Sequence, residues 1–346
     1  MKRVTIKDIA EHLTISVSTV SRALTDDKNI RQETKDRVVE AAEKLGYRPN
    51  PVATNLKYGR TNTVGVIVPE MITPFAAQVI GGIQEVLFEQ GIKVVIAESE
   101  ESWEIERENI KTMERFMVDG VIASICDYKR NREAYLELEK SGMAVVFFDR
   151  IPHQMEVSQV VVDDYIKSFF LTEHLIRSGR KRIVHLHGPD HIYNSTQRAK
   201  GYRDALKKFD IAVESSLVVH SNGMSFEDGA EAAEMLLNLG VGFDAIFAFT
   251  DTLGIGAMNY LRDNGVMIPS EVAVASFSGT VLSTVVHPQL TTIEPPLAKI
   301  GREAAHLVVE KIKRPDSPTR YVVMDASIEL RASTEGDIIS TRLGNL

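Results

Sequence analysis

Thr5-Ile-Lys-Asp-Ile-Ala-Glu-His-Leu-Thr-Ile-Ser-Val-Ser-Thr-Val-Ser-Arg-Ala-Leu24 has the spacing of two short helices joined by a tight turn. Thr5 and Asp8 make an S/T-x-x-D/E start signal, with Thr5 placed to cap the first helix. Ile6, Ile9, Ala10 and Leu13 then recur at i, i+3, i+4 and i+7, one apolar face of a helix. Ala10 is small where two crossing helices need close approach. Ser16 opens a second helix whose inner face is Val20, Ala23 and Leu24. Its opposite face carries Val17, Ser18, Ser21 and Arg22, a surface that suits insertion into a major groove. There arginine pairs best with guanine O6 and N7, valine can meet a thymine methyl, and serine can pair with several bases. A third amphipathic stretch, about Gln32 to Leu45, is predicted to turn Val38, Val39, Ala42 and Leu45 inward and to stop at Gly46. By spacing alone, the same pattern also describes a three-helix bundle that binds protein.

The next segment, Tyr47-Arg-Pro-Asn-Pro-Val-Ala-Thr-Asn-Leu-Lys-Tyr-Gly59, predicts one more helix. Asn50 can cap it, Pro51 suits its first position, and Gly59 ends it. Two turns are too few to be stable alone in water. A second copy of the segment, a groove of DNA, or both would have to hold it.

Three blocks, Val4-Thr5-Ile6-Lys7-Asp8-Ile9-Ala10, Thr19-Val20-Ser21-Arg22-Ala23-Leu24 and Leu45-Gly46-Tyr47-Arg48-Pro49-Asn50, resemble the head and hinge of lactose/galactose-repressor (LacI-type) transcription factors. The resemblance runs through essentially the whole chain. It implies a helix-turn-helix head over 1–48, a hinge over 49–60 and an effector-binding and dimerisation domain over 61–346. It implies DNA contacts from Thr5, Ser16, Val17, Ser18, Thr19, Ser21 and Arg22, with Asn29 and Tyr47 nearby. Asn50, Ala53 and Leu56 of the hinge join them, Leu56 as an apolar wedge entering the minor groove beside its counterpart from a second chain. The head departs from the family twice. Thr14 stands in the turn where glycine is common, and a β-branched residue is strained at positive φ, so a shifted turn is expected. Arg31 stands where a Ser or Thr cap of the third helix is usual.

Bulk numbers agree with a split molecule. At roughly 150 residues per domain, 346 residues make about two domains with ample apolar content. Residues 1–60 hold 12 Lys and Arg against 8 Asp and Glu, net +4, which leaves 28 against 40 beyond them, net −12. A basic head on an acidic body is the charge pattern of a DNA-binding module attached to a sensor. No apolar run approaches the ~18 residues of a membrane span, and no secretory h-region follows Met1-Lys2-Arg3. The one cysteine, Cys126, excludes an intrachain disulfide and agrees with a reducing cytoplasm.

From Thr63 the pattern changes to short apolar runs alternating with helical stretches. Candidate strands are Val64–Pro69, Lys93–Ala97, Gly120–Ser124 and Ala144–Asp149, then Val160–Val162, Arg182–His187, Leu217–His220, Ala245–Thr250 and Val272–Phe277. Continuous apolar strands joined by helices mean parallel sheets covered on both faces. The expected fold is therefore a small all-α helix-turn-helix head joined to an α/β sensor of two Rossmann-like lobes, similar to periplasmic binding proteins. The first lobe is expected at about 61–161 and 292–326, the second at about 162–291 and 327–340. Residues 290–295 read as a crossover back to the first lobe, 296–313 as a helix packed there, and 327–332 as an edge strand.

Enzyme motifs are missing. Gly254-Ile-Gly256 falls inside a predicted helix with Asn259 where a third glycine belongs, and close helix packing explains it. No P-loop, G-x-S-x-G or H-E-x-x-H occurs. His185 and His187 share one face of a strand, but no third ligand is evident, so no metal and no cofactor is expected. Ligand contacts in such lobes come from loops after strands. By resemblance the candidates are Phe75 and Asp149 in the first lobe and Asn194, Arg198, Met224 and Ser278 in the second. Arg198 offers a guanidinium fork for two ligand oxygens. Ser278 replaces the aspartate that usually follows this strand in the family, which gives more weight to a less polyhydroxylated, anionic or phosphorylated ligand, or to none, than the family pattern alone would. The tail after Ala332 has no heptad repeat, which predicts a homodimer rather than a tetramer. Together these readings predict a DNA-binding regulator, a repressor that binds a pseudo-palindromic operator as a dimer and is modulated by a small effector, a sugar or sugar-derived metabolite, in the inter-lobe cleft. A sugar-binding protein without DNA function, or a regulator without a small effector, remain the alternatives.

Overall fold

The computed structural model describes residues 4–47, 60–152, 154–221 and 223–335, and the chain divides into two compact units, 1–61 and 62–346. In the first unit lie α1 (Ile6–Leu13), α2 (Val17–Leu24) and α3 (Gln32–Leu45). The Asp8 carboxylate accepts from the Thr5 backbone N–H and hydroxyl, both at 2.6 Å, and Ser16 Oγ accepts from the Thr19 N–H at 3.0 Å. Ile9, Ala10, Val20, Ala23, Val38, Ala41 and Ala42 close the core, with Ile6, Leu13, Leu24 and Leu45 packed on it.

Three expectations for the head are corrected or sharpened. Val39, expected inward, is 45 % exposed. Positions 38, 41, 42 and 45 form the i, i+3, i+4, i+7 stripe, and Val39 lies about 100° around the helix from it. Thr14 does not shift the turn. It takes the left-handed conformation itself, φ 55 and ψ 43, while the Ile15 N–H bonds Ala10 O at 3.0 Å in a Schellman-like closure. That conformation costs a non-glycine residue about 1–2 kcal/mol, and the packing of Ile15 on the head core offsets it. Arg31 begins α3 with no side-chain cap.

The second unit carries two six-stranded sheets. The first contains β1 (Thr63–Val68), β2 (Lys93–Glu98), β3 (Gly120–Ala123), β4 (Ala144–Phe148), β5 (Ser158–Val162) and β11 (Tyr321–Met324), in the order β11-β5-β4-β3-β1-β2. The second contains β6 (Ile183–His187), β7 (Val218–His220), β8 (Ala245–Ala248), β9 (Ala273–Phe277), β10 (Thr291–Glu294) and β12 (Ser327–Glu329), in the order β12-β10-β9-β8-β6-β7. Every pairing is parallel except β10 with β12.

Between the strands run α4 (Pro74–Glu89), α5 (Trp103–Arg115), α6 (Arg132–Lys140), α7 (Asp164–Arg177), α8 (Tyr193–Lys208), α9 (Phe226–Asn238), α10 (Asp251–Asp263), α11 (Leu282–Val285), α12 (Leu297–Lys313) and α13 (Ala332–Glu335). Side chains alternate across the sheets as strand geometry requires. Val64, Val66 and Val68 join a core with α4 and α12, while Ile67 joins another with α5 and α6. Helix α12 does pack on the first lobe. A Cβ at Gly82 or Gly301 would run into a carbonyl oxygen of the facing helix, so both must be glycine for α4 and α12 to approach.

Two readings of the body change. Residues 291–294, expected within a crossover, form a strand of the second sheet, with Thr291 opposite Ala275. Thr-Thr-Ile is a β-branched run suited to a pleated surface, and the chain crosses only after it. Tyr321–Met324, which is not among the candidate strands, extends the first sheet beside β5.

Candidate functional site

The outer face of α2 is open. Val17 is 38 % exposed, Ser18 and Arg22 are exposed, and Thr19 and Ser21 are half-buried. Ser16 Oγ lies 2.7 Å from Ser18 Oγ and 2.8 Å from Thr19 Oγ1, a hydroxyl cluster at the helix start. Among the described residues no side-chain hydrogen bond or ion pair engages the Arg22 guanidinium. Asn29 bonds Asp27 through its backbone N–H and its amide, at 2.8 and 2.9 Å, and Tyr47 packs on the head core. Asn50, Ala53 and Leu56 lie outside the described residues.

In the body, both sheets show the 2-1-3-4-5 winding of doubly wound folds. Such sheets bind ligands beyond the strand carboxyl ends, where the order reverses. Those reversals fall between β1 and β3 and between β6 and β8. The loops there open onto a cleft of about 570 Å³ that Phe75, Asp149, Asn194, Arg198, Met224 and Ser278 all line. The structure thus brings together all six residues chosen from the sequence.

Their partners were not foreseen. Arg198 is 5 % exposed. Its Nε donates to Asp164 Oδ1 at 2.7 Å and its Nη1 to the Phe249 carbonyl at 2.6 Å. The guanidinium carbon sits 4.5 Å from the Phe249 ring centre and 3.6 Å from that of Phe277. Two of the five N–H donors of the fork predicted to hold two ligand oxygens are therefore committed inside the protein. Asn194 Nδ2 lies 3.1 Å from Asp164 Oδ2 and 3.3 Å from Asp149 Oδ1, joining the lobes. Burial pushes the Asp164 carboxyl up to about 6, although Arg198 pulls the other way. Burial likewise raises Asp149 above the usual carboxylate range. Arg150, next to Asp149, is held by both oxygens of Glu101, at 2.7 and 3.0 Å, and its Nη2 reaches the Met224 sulfur at 3.9 Å.

Asp251, at the first turn of α10, was also missed. Its oxygens accept from Ser276 Oγ at 2.7 Å, Thr280 N at 2.8 Å, Thr280 Oγ1 at 3.0 Å and Thr292 Oγ1 at 2.8 Å. This carboxylate fixes the loop that carries Ser278. Its place just beyond a strand carboxyl end was the one signal available in the sequence. Gly256 does serve packing, since a Cβ there would meet the Phe226 carbonyl. Among the described residues, no helix is long and apolar enough to cross a membrane.

A ligand-sized cleft between two such sheets, on a chain that also carries an open helix-turn-helix, defines a ligand-responsive DNA-binding regulator. Residues 5–50 match the family described as bacterial regulatory proteins, lacI family, and residues 61–330 match periplasmic binding proteins and sugar binding domain of LacI family. The chain is 32 % identical to catabolite control protein A of Priestia megaterium, over 96 % of this chain and 99 % of that one. It is 28 % identical to the transcriptional repressor CytR of Escherichia coli strain K12, over 95 % and 96 %. A solved complex of the transcriptional regulator CelR with cellobiose superposes with a TM-score of 0.73 at 27 % identity, covering 96 % of this chain and all of that one. The operator-bound lac repressor dimer shares the fold at a TM-score of 0.82 and 21 % identity, over 96 % and 99 %. The chain belongs to the LacI family of bacterial regulatory proteins. It is a DNA-binding transcriptional regulator with a sugar-binding type of effector domain, in a family of regulators rather than enzymes.

Proposed function

We propose that the protein represses transcription as a homodimer on a pseudo-palindromic operator, and that a neutral sugar or sugar derivative in the cleft is its effector. The observation that carries the ligand class is the pairing of both cleft arginines. Arg198 is matched by Asp164 and Arg150 by Glu101, so neither has a full charge to spend on a phosphate or carboxylate. The groups left are Asn194, Ser278 and Asp149, which suit hydroxyls, with Phe75 as an apolar face. The similarity to a cellobiose-bound regulator and to a ribose operon repressor of Halalkalibacterium halodurans, 27 % identical, supports a sugar. Exposed Phe88, Leu239, Val281 and Val285 offer apolar area to a second copy.

Thermal-shift screening of the full chain against sugars and their phosphates tests the ligand class. The expected hit is a neutral sugar, and a phosphorylated one binding more tightly than its parent would overturn it. On the DNA side, Arg22 is the main base contact, with Val17 and Ser18 beside it. Arg22→Ala should cost about 1–3 kcal/mol of operator binding and relax preference at one base pair per half-site. Uniform weakening on all sequences would instead assign Arg22 to phosphate. Leu56→Ala should weaken operator binding and bending while sugar affinity stays unchanged, and parent-like bending would make the hinge a tether.

A further inference from the structure

We propose that His187, Asp190 and His220 form a binding site for one divalent transition metal ion of the zinc type, at the carboxyl ends of β6 and β7. The two strands pair in parallel with His187 directly opposite His220. Their imidazoles stack, with ring centres 4.5 Å apart and an interplanar angle of 30°. Asp190, in the loop after β6, places Oδ1 at 3.7 Å from His187 Nδ1 and 3.5 Å from His220 Nδ1. One donor atom from each of the three residues lies within 4.8 Å of the others. An ion held tetrahedrally at roughly 2.0–2.2 Å needs donors about 3.3–3.6 Å apart. Both Asp190 contacts lie at or just beyond that range, and the side chains that can move to close the site are the exposed ones.

The donor set selects the ion. Two imidazoles and one carboxylate suit zinc and its first-row neighbours, whereas calcium and magnesium take oxygen shells. His187 Nδ1 also lies 2.5 Å from the Gly188 carbonyl oxygen. An ion taken at Nδ1 replaces that contact. His187 is buried, with 4 % of its side chain exposed, while His220 and Asp190 are 56 % and 77 % exposed. The site thus has one fixed ligand and two that close over the ion, with a fourth position open to water. His185, the partner suggested by strand alternation, is excluded from it. Its ring stacks on Tyr202 at 5.1 Å, and its Nδ1 faces the Phe247 carbonyl at 3.0 Å.

The loop that would be clamped matters to the rest of the body. Its His191 carbonyl accepts from the Tyr128 N–H of the first lobe at 3.2 Å, and it runs into α8, which carries Asn194 and Arg198. An ion at Asp190 would pin the approach to both cleft residues.

Titration of the full, untagged chain with zinc by calorimetry tests the assignment, with visible absorption of the cobalt(II) form as a second readout. The expected result is one ion per chain, with a tetrahedral cobalt spectrum. His220→Ala and Asp190→Asn should lower affinity by at least the roughly 10–100-fold that loss of an outer-shell partner costs. Both side chains are exposed, so the metal-free urea midpoint of each variant should match the parent. His306→Ala, at an exposed histidine on α12, should bind like the parent. No saturable zinc binding, or equal binding by the parent, His220→Ala and Asp190→Asn, would overturn the site.

Discussion

The two lobes wind their strands in the same order but bury different chemistry. The first encloses Glu106, a fully buried carboxylate that accepts from the Cys126 N–H and the Tyr135 hydroxyl, each at 2.8 Å. The rest of its interior is mainly aliphatic and aromatic. The second buries His185, His187, Asp251, Ser276, Thr291 and Thr292 as well as Arg198. Winding alone therefore explains why strand ends converge on a cleft, but not which side holds the chemistry. Hydrogen-bonded charges such as Asp251 and Arg198 are rigid because each is costly to leave unpaired. In the second lobe they fix the helix bearing Arg198 and the loop bearing Ser278, while the first lobe brings Phe75, Asp149 and the Glu101–Arg150 pair to them.

Breaking the buried pair of the second lobe should be the most damaging change. Arg198→Ala leaves Asp164 buried without its counter-charge and should cost about 3–5 kcal/mol in urea unfolding. Arg150→Ala, whose partner Glu101 has 30 % of its side chain exposed, should cost about 1–3 kcal/mol. Equal losses would dissolve the contrast between the lobes.

The second test uses pH. Burial among apolar rings pushes His185 from its ordinary 6.5 down to about 3. Below pH 6.5 the unfolded chain takes a proton that the folded chain refuses, so this stability is full above 6.5 and is lost as pH falls toward 3. Asp164 runs in the opposite sense, since its raised carboxyl favours the folded state at low pH. Comparing the parent with His185→Asn isolates the histidine. The drop in unfolding free energy from pH 7 to pH 5 should be smaller by about 2 kcal/mol in the variant. An unchanged drop would mean that His185 is solvated enough to titrate normally.

The smallest expected effect compares the two buried carboxylates. Asp251→Asn faces an amide donor toward hydroxyls and an N–H that already donate, and should cost about 1–2 kcal/mol. Some of that loss should appear as weaker sugar binding, because the loop of Ser278 loosens. Glu106→Gln should cost about 1 kcal/mol and leave ligand affinity unchanged. A loss of ligand affinity in Glu106→Gln would show that the first lobe supports the cleft as much as the second.

Some of this was written in contiguous residues. The stripe Ile6, Ile9, Ala10, Leu13, the Thr5–Asp8 start signal and the Ser16 cap determined the head, because helical periodicity and capping act within a turn or two of the chain. Alternating apolar runs and helical stretches determined two parallel sheets, and the family resemblance implied Phe75, Asp149, Asn194, Arg198, Met224 and Ser278 as cleft candidates. What the tertiary structure decided has longer reach. Thr291–Glu294 became a strand because β9 and β12 flank it, and Val39 faces water because Ala41 holds the stripe. Arg198 found Asp164 on a different helix, Asp251 gathered hydroxyls from β9, β10 and the loop between them, and His187 met His220 across a strand pairing. A hydrogen bond or ion pair depends on atoms within about 3 Å, and only the winding of the sheets brings residues so distant in sequence that close.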